Sequence, residues 1–127
     1  MGILLALKDF EKKLTCMYLY VELWKPRPAW LEMAREQREE YLSQMRPNVK
    51  KMVDSGVTLI GFALLDEDVP NDSQYRYMAV WKMPSRGHVH MLEKAVRAEG
   101  WGNFFDIGNA RGQLISIDKA VAEMVRH

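Results

Sequence analysis

The chain has 127 residues, 48% of them hydrophobic and 28% charged, a composition that affords one folded domain with a real core and excludes a disordered chain. Eighteen Lys and Arg against seventeen Asp and Glu leave a net charge of +1, so no global field draws nucleic acid or an anionic membrane, and neither is an expected partner. The single Cys16 excludes an intramolecular disulfide and a cysteine-based zinc site within one chain, and it fits a reducing, cytoplasmic setting.

Residues 1–15 place Ile3, Leu7, Phe10 and Leu14 three or four apart among charged side chains, the pattern of an N-terminal amphipathic arm or helix. The apolar run from Ile3 to Leu7 is too short for a secretory core, and no run approaches a membrane span. Met17 to Trp24 alternates as a strand, with Leu19, Val21 and Leu23 on one face and Tyr18, Tyr20, Glu22 and Trp24 on the other. It stops at Lys25-Pro26-Arg27-Pro28, where the prolines lack an N–H for the ladder.

Pro28 opens a helical pattern that runs through Leu31, Arg38, Tyr41, Met45, Val49 and Met52 to Asp54. Pro47 predicts a kink or break near Gln44 to Arg46, and Gly56 a stop. Val57 to Leu65 reads as a strand buried on both faces, in which Gly61 permits a bulge. Residues 66–73 form an acidic turn without calcium-loop spacing. Tyr75 to Met83 alternates again, Tyr77, Ala79 and Trp81 facing one way and Met78 and Val80 the other.

Ser85 caps a second helix with Val89, Leu92, Ala95 and Val96 as its buried stripe, ended by Gly100. Phe104, Phe105 and Ile107 favour a last strand within residues 101–111. Ser116 then caps a terminal helix whose stripe of Ile117, Ala120, Val121, Met124 and Val125 needs a surface to dock on. The expected organisation is an arm at 1–15, a domain at 16–115 and a docking helix at 116–127.

The order strand, helix, strand, strand, helix, strand, with right-handed crossovers, puts both helices on one face of a four-stranded antiparallel sheet with strands one and three central. The fold class is α+β. The plain apolar face of Leu19, Val21, Leu23, Met78 and Val80 is expected beneath the helices. That leaves the aromatic face of Tyr18, Tyr20, Glu22, Trp24, Tyr77 and Trp81 uncovered, to be buried in a homodimer.

Tyr77-Met78-Ala79-Val80-Trp81-Lys82 running into a helix, with Gly100-Trp101 and a Phe-rich segment after it, resembles the dimeric α/β-barrel superfamily of ferredoxin-like βαββαβ domains. That group includes cofactor-independent antibiotic-biosynthesis monooxygenases, muconolactone isomerase-like enzymes, ring cyclases, haem-degrading enzymes and stress-responsive barrel domains. The resemblance covers about residues 16 to 112, and it implies a homodimer and a pocket between sheet and helices.

Among candidate groups, Glu22 flanked by Tyr20 and Trp24 is a carboxyl set to be desolvated and to act as general acid or base, or else paired across the dimer with a basic residue such as Arg111. His88 lies at the edge of the second helix's apolar face as a pocket acid or base, or, by the resemblance, an axial haem ligand; a boundary histidine is the plain alternative. Tyr18, Tyr20, Trp24, Tyr77, Trp81 and Phe105 suit an aromatic ligand, with Asp106, Asn109 and Arg111 at the mouth and Arg111, together with Tyr20 or Tyr77, holding an enolate. The three histidines do not cluster with carboxylates, so no metal site is expected, and no cofactor. The expected activity is proton abstraction from an aromatic or polyketide-like small molecule, of monooxygenase, isomerase or cyclase type, against a non-catalytic binding module or a haem-binding protein.

Overall fold

Four strands form where alternation or apolar continuity asks for them: β1 (Tyr18–Pro26), β2 (Thr58–Leu64), β3 (Tyr77–Met83) and β4 (Phe105–Gln113). In this computed structural model, residues 17–70 and 74–126 are described, so the arm expected at 1–15 lies outside the described residues. The strands pair antiparallel in the order β2-β3-β1-β4. The fold is α+β and ferredoxin-like, with strands one and three central. A register shift between Leu59 and Gly61 makes the bulge that Gly61 permits.

The first helical region is three pieces, α1 (Pro28–Leu31), α2 (Arg35–Leu42) and α3 (Met45–Asp54). One break falls at Ser43 and Gln44, which puts Pro47 in the first turn of α3, where its missing N–H has no intrahelical partner to lose. The other, at residues 32–34, is not foreshadowed by a proline. Arg38 holds it: its Nε donates to Trp30 O at 3.0 Å and its Nη2 to Leu31 O at 2.6 Å, satisfying the last carbonyls of α1. Helix α4 (Arg86–Ala98) starts at Ser85, whose Oγ accepts from His88 N at 3.3 Å. It ends before Gly100, whose φ of 71° is the left-handed conformation glycine reaches without strain. Helix α5 (Ile117–Arg126) is capped at Ser116, with Lys119 N donating to its Oγ at 3.2 Å.

The expectation for the two sheet faces is overturned. Tyr18, Tyr20, Glu22, Trp24, Ala79, Trp81 and Met83 are the buried ones, and they lie beneath the helices with Val89 and Leu92 of α4 and Met52 of α3. Leu19, Val21, Leu23, Met78 and Val80 form the open face and are half-buried. Both faces of β1 and β3 are apolar, so alternation sets which residues share a face without setting which face the helices cover. The deciding contacts come from outside the strands. Trp30, Tyr41, Trp101 and Phe104 pack ring on ring with Phe105 and Trp24, at centroid distances of 4.8–5.8 Å, and so favour the aromatic side of the sheet.

Helix α5 presents its apolar stripe to solvent. Ile117, Met124 and Val125 are 80%, 69% and 82% exposed, so no described element of the chain covers it.

Candidate functional site

A cleft opens between the aromatic face of the sheet and helices α2 to α4. Across the sheet, Ala79 pairs with Phe62 on one side and with Glu22 on the other, so nothing larger than a methyl stands between ring and carboxyl. Above this low point is an inner recess of about 60 Å³, walled by Met52 and Val49 of α3 and Leu92 and Val96 of α4, with Trp24, Trp81 and Trp101 around it. It adjoins an outer chamber of about 420 Å³ that shares Trp24, Met45, Phe62 and Trp101 and reaches Arg35, Arg38 and Tyr77 at the surface. The chamber alone is of small-molecule size.

Glu22 is 2% exposed, and its Oε1 accepts from Trp81 Nε1 at 2.8 Å. Among the described residues no cation pairs with it. Burial pushes its carboxyl up from the ordinary 4.5 to about 7; the Trp81 hydrogen bond works against that rise, and the charge of Glu99 adds to it. Glu99, which lines the same recess, is also raised, by burial. Asn48 Nδ2 donates to Glu99 Oε1 at 2.7 Å, and Tyr41 Oη donates to the Glu99 carbonyl at 2.8 Å. The recess therefore holds two carboxyls raised by burial inside an apolar wall, and Glu22, at about 7, is able to take up and return a proton at neutral pH.

Of the residues expected from the sequence, Glu22, Trp24 and Trp81 come together in the recess, and Tyr77 and Phe105 line the chamber. Tyr77 is 39% exposed at its rim. Tyr18 and Tyr20 are buried under α4 but line neither space. Tyr20 Oη donates to Glu93 Oε2 at 3.3 Å, and burial, together with the Glu93 charge, holds this phenol protonated far above its usual range. Arg111 is bound to that same Glu93 oxygen at 3.2 Å, so within the chain it pairs with Glu93 and not with Glu22. Asn109 is exposed and lines neither space.

His88 is turned away. Its Nδ1 is 2.7 Å from Ser85 Oγ and its Nε2 2.9 Å from Ser55 O, so both ring nitrogens are engaged outside the cleft. His90 pairs with Glu93 at 3.4 Å. The cleft thus offers no imidazole from the described residues, and a methionine thioether such as that of Met45 or Met52 serves as a haem ligand only alongside a histidine. The described residues of the cleft do not fit a haem. Among the described residues no group of three His, Cys, Asp or Glu is arranged to hold a metal ion, and no helix is long and apolar enough to cross a membrane.

Sequence reasoning missed Asn48, Glu99 and Trp101. Glu99 had a signal: an acid at the C-cap of α4 sits at the negative end of the helix dipole, a placement that local helix stability does not favour.

The fold is similar to two solved structures of mutant chlorite dismutase from Candidatus Nitrospira defluvii. One, a single-substitution mutant in complex with cyanide, matches with a TM-score of 0.64 at 13% identity, over 82% of this chain and 43% of that one. The other, a double mutant, matches with a TM-score of 0.64 at 12% identity, over 86% and 44%. The chain thus spans less than half the length of the structures it matches, and at this identity the likeness is one of fold. No curated protein matches it in sequence. Residues 17–127 match the family of unknown function DUF6616, and the chain belongs to that family.

Proposed function

We propose that this protein binds a small, flat, largely apolar molecule in the cleft between sheet and helices and moves a proton on it with Glu22. The observation that carries this reading is a carboxyl buried to 2% exposure, paired with no cation among the described residues, at the floor of an aromatic recess and raised to about 7. A structural carboxylate is ordinarily paired when buried; one left to titrate at neutrality is suited to proton abstraction. Enolisation of this kind opens isomerase, cyclase and cofactor-independent oxygenase reactions alike, and it needs no redox group. A cytoplasmic setting goes with the reading, from Cys16.

The test is hydrogen–deuterium exchange at C1 of 2-tetralone in D2O, followed by proton NMR. The wild-type chain is expected to accelerate exchange, with a rate rising through pH 7 as Glu22 ionises, and Glu22→Gln is expected to stay folded and lose the acceleration. Equal exchange with both chains, at the rate of buffer, would leave a binding module and overturn the catalytic reading.

The chain is further proposed to form a homodimer, through the open face and not the aromatic one. Leu19, Val21, Leu23, Met78 and Val80 form a flat aliphatic surface, and Ala63 and Ala110 flank it on the edge strands. The uncovered stripe of α5 supplies a second apolar surface that two copies can bury against one another. Val21→Lys is expected to shift sedimentation at micromolar concentration from dimer to single subunit. A wild-type chain that sediments as a single subunit would refute the proposal.

A further inference from the structure

Helix α2 turns a charged stripe toward the outer chamber. Arg35, Arg38, Glu39 and Leu42 recur at the spacing of one helical face, and these four are the residues by which α2 lines the space. A helix that only roofed an aromatic cavity would place apolar side chains there, as α4 does over the recess with Leu92, Ala95 and Val96. The walls that face the stripe include the rings of Trp24, Trp30, Phe62 and Phe105.

The two arginines are held differently. Arg38 is half-buried and fixed: Nε and Nη2 are given to the carbonyls of Trp30 and Leu31, and its Cζ lies 6.0 Å from the centroid of the Trp30 ring. Among the described residues no carboxylate is within ion-pair distance of it, and its Nη1 makes no hydrogen bond. Arg35 is exposed and gives only its Nε to Glu39, at 3.0 Å. Two guanidiniums against one carboxylate leave positive charge in excess at the mouth, part of it on a group whose position is set before any ligand arrives. The recess has the opposite character, because Glu22 lines it with no paired cation among the described residues. An anionic group on a ligand is disfavoured beside that carboxyl and favoured at the mouth.

We propose that the molecule this cleft takes is an aromatic acid, its ring system in the outer chamber and its carboxylate at the mouth on Arg38 and Arg35. The proposal rests on the reading that the cleft binds a flat, largely apolar body, and it adds the charged end and the direction of entry. The acid end stays at the mouth, and the opposite end of the ring system points to the recess and Glu22. Glu39 tunes the site, since its carboxylate competes with the ligand for Arg35.

The test is calorimetric titration of the full chain, near neutral pH, with 2-naphthoate and with 2-acetonaphthone, which carries a methyl ketone where the acid carries its carboxylate. The acid is expected to bind about tenfold more tightly at low salt, and the preference to fall severalfold as salt is raised from about 0.05 to about 0.5 M. Arg38→Gln and Arg35→Gln should each weaken the acid severalfold and the ketone less. Because Arg38 also holds the end of α1, Glu39→Gln supplies a test that leaves that contact in place: the acid should bind severalfold more tightly and the ketone as before. Glu22→Gln should keep the preference; its loss there would put the acid at Glu22 and overturn the assignment. A wild-type chain that binds both molecules equally, a Glu39→Gln chain that binds the acid no more tightly, or an Arg38→Gln chain with an unchanged circular dichroism spectrum and the full preference overturns it too, and leaves the cleft a binding site. A chain that binds neither molecule overturns the binding reading and this one together, whereas binding of the acid without exchange of 2-tetralone removes only the proton-transfer role.

Discussion

Replacing Glu22 by Gln should change how stability depends on pH, in a direction opposite to that of a salt-bridged carboxylate. In the unfolded chain the group titrates at its ordinary 4.5, and in the native protein at about 7. Between those values the unfolded state has lost the proton that the native state keeps. Stability therefore falls as pH rises through this window and levels off above it. The contribution is fully present below 4.5 and gone above 7. Two and a half pKa units at 1.36 kcal/mol each amount to about 3 kcal/mol, of which roughly 2.5 kcal/mol is lost between pH 5 and pH 8.5. Glutamine keeps an oxygen to accept from Trp81 and has nothing to ionise. Thermal denaturation of the two chains over that pH range should show the variant gaining on the wild type by roughly 9 °C, taking an unfolding entropy of about 0.27 kcal/mol/K for a chain of this length. Glu99 is present in both proteins and its charge acts on Glu22, so the difference between the curves reads Glu22 together with that coupling. Parallel curves would mean that Glu22 titrates as an ordinary carboxylate, and the proton-transfer role would lose its basis.

Three further substitutions probe the frame around the cleft. Ala79→Leu inserts three carbons at a fully buried position between Phe62 and Glu22; it should cost about 1–3 kcal/mol in urea denaturation and abolish calorimetric binding of 2-naphthol. Gly108→Ala would bring a methyl within 2.5 Å of Tyr75 Oη and 2.7 Å of its Cζ, so a loss of about 1–3 kcal/mol is expected; Tyr75→Ala in the same chain should recover part of it, and purely additive effects would count against the clash. Arg38→Ala removes both donors from the α1 carbonyls and should lower stability by about 1–3 kcal/mol, measured by denaturation, with naphthalene binding weakened as Trp30 loosens.

The strands, their pairing order, both serine caps and the bulge near Gly61 were legible because each rests on local chemistry: a two-residue repeat, a hydroxyl before a helix, a glycine in a strand. The break at Ser43 and Gln44 was legible for the same reason, from Pro47. The break after Leu31 was not, since it depends on Arg38 reaching back seven and eight residues to carbonyls, which no periodicity records. Glu22 stood out as a carboxyl among aromatic rings. Its surroundings did not, because Asn48, Glu99 and Trp101 come from separate elements and meet only when the helices close on the sheet. The choice of covered face lies between these cases. Trp30, Tyr41 and Phe104 were visible in the sequence as aromatic residues, but their preference for the Trp24 side becomes an argument only once they are known to share one side of the sheet.

The reversal of the two faces also changes how binding and assembly are connected. Had the aromatic face joined two copies, Glu22 would have sat in the interface, and its titration would have depended on the partner. Here Glu22 lies beneath α3 and α4, while its chain neighbours Val21 and Leu23 point through the sheet to the open side. The carboxyl gains its raised pKa from burial inside one subunit, and the surface behind it is formed by the aliphatic side chains of Leu19, Val21, Leu23, Met78 and Val80. A charge placed at Val21 should therefore separate subunits without moving the pH at which exchange of 2-tetralone rises. A midpoint that shifted with the loss of the dimer would show that the cleft is completed across the interface, and that the two faces of the sheet act as one site.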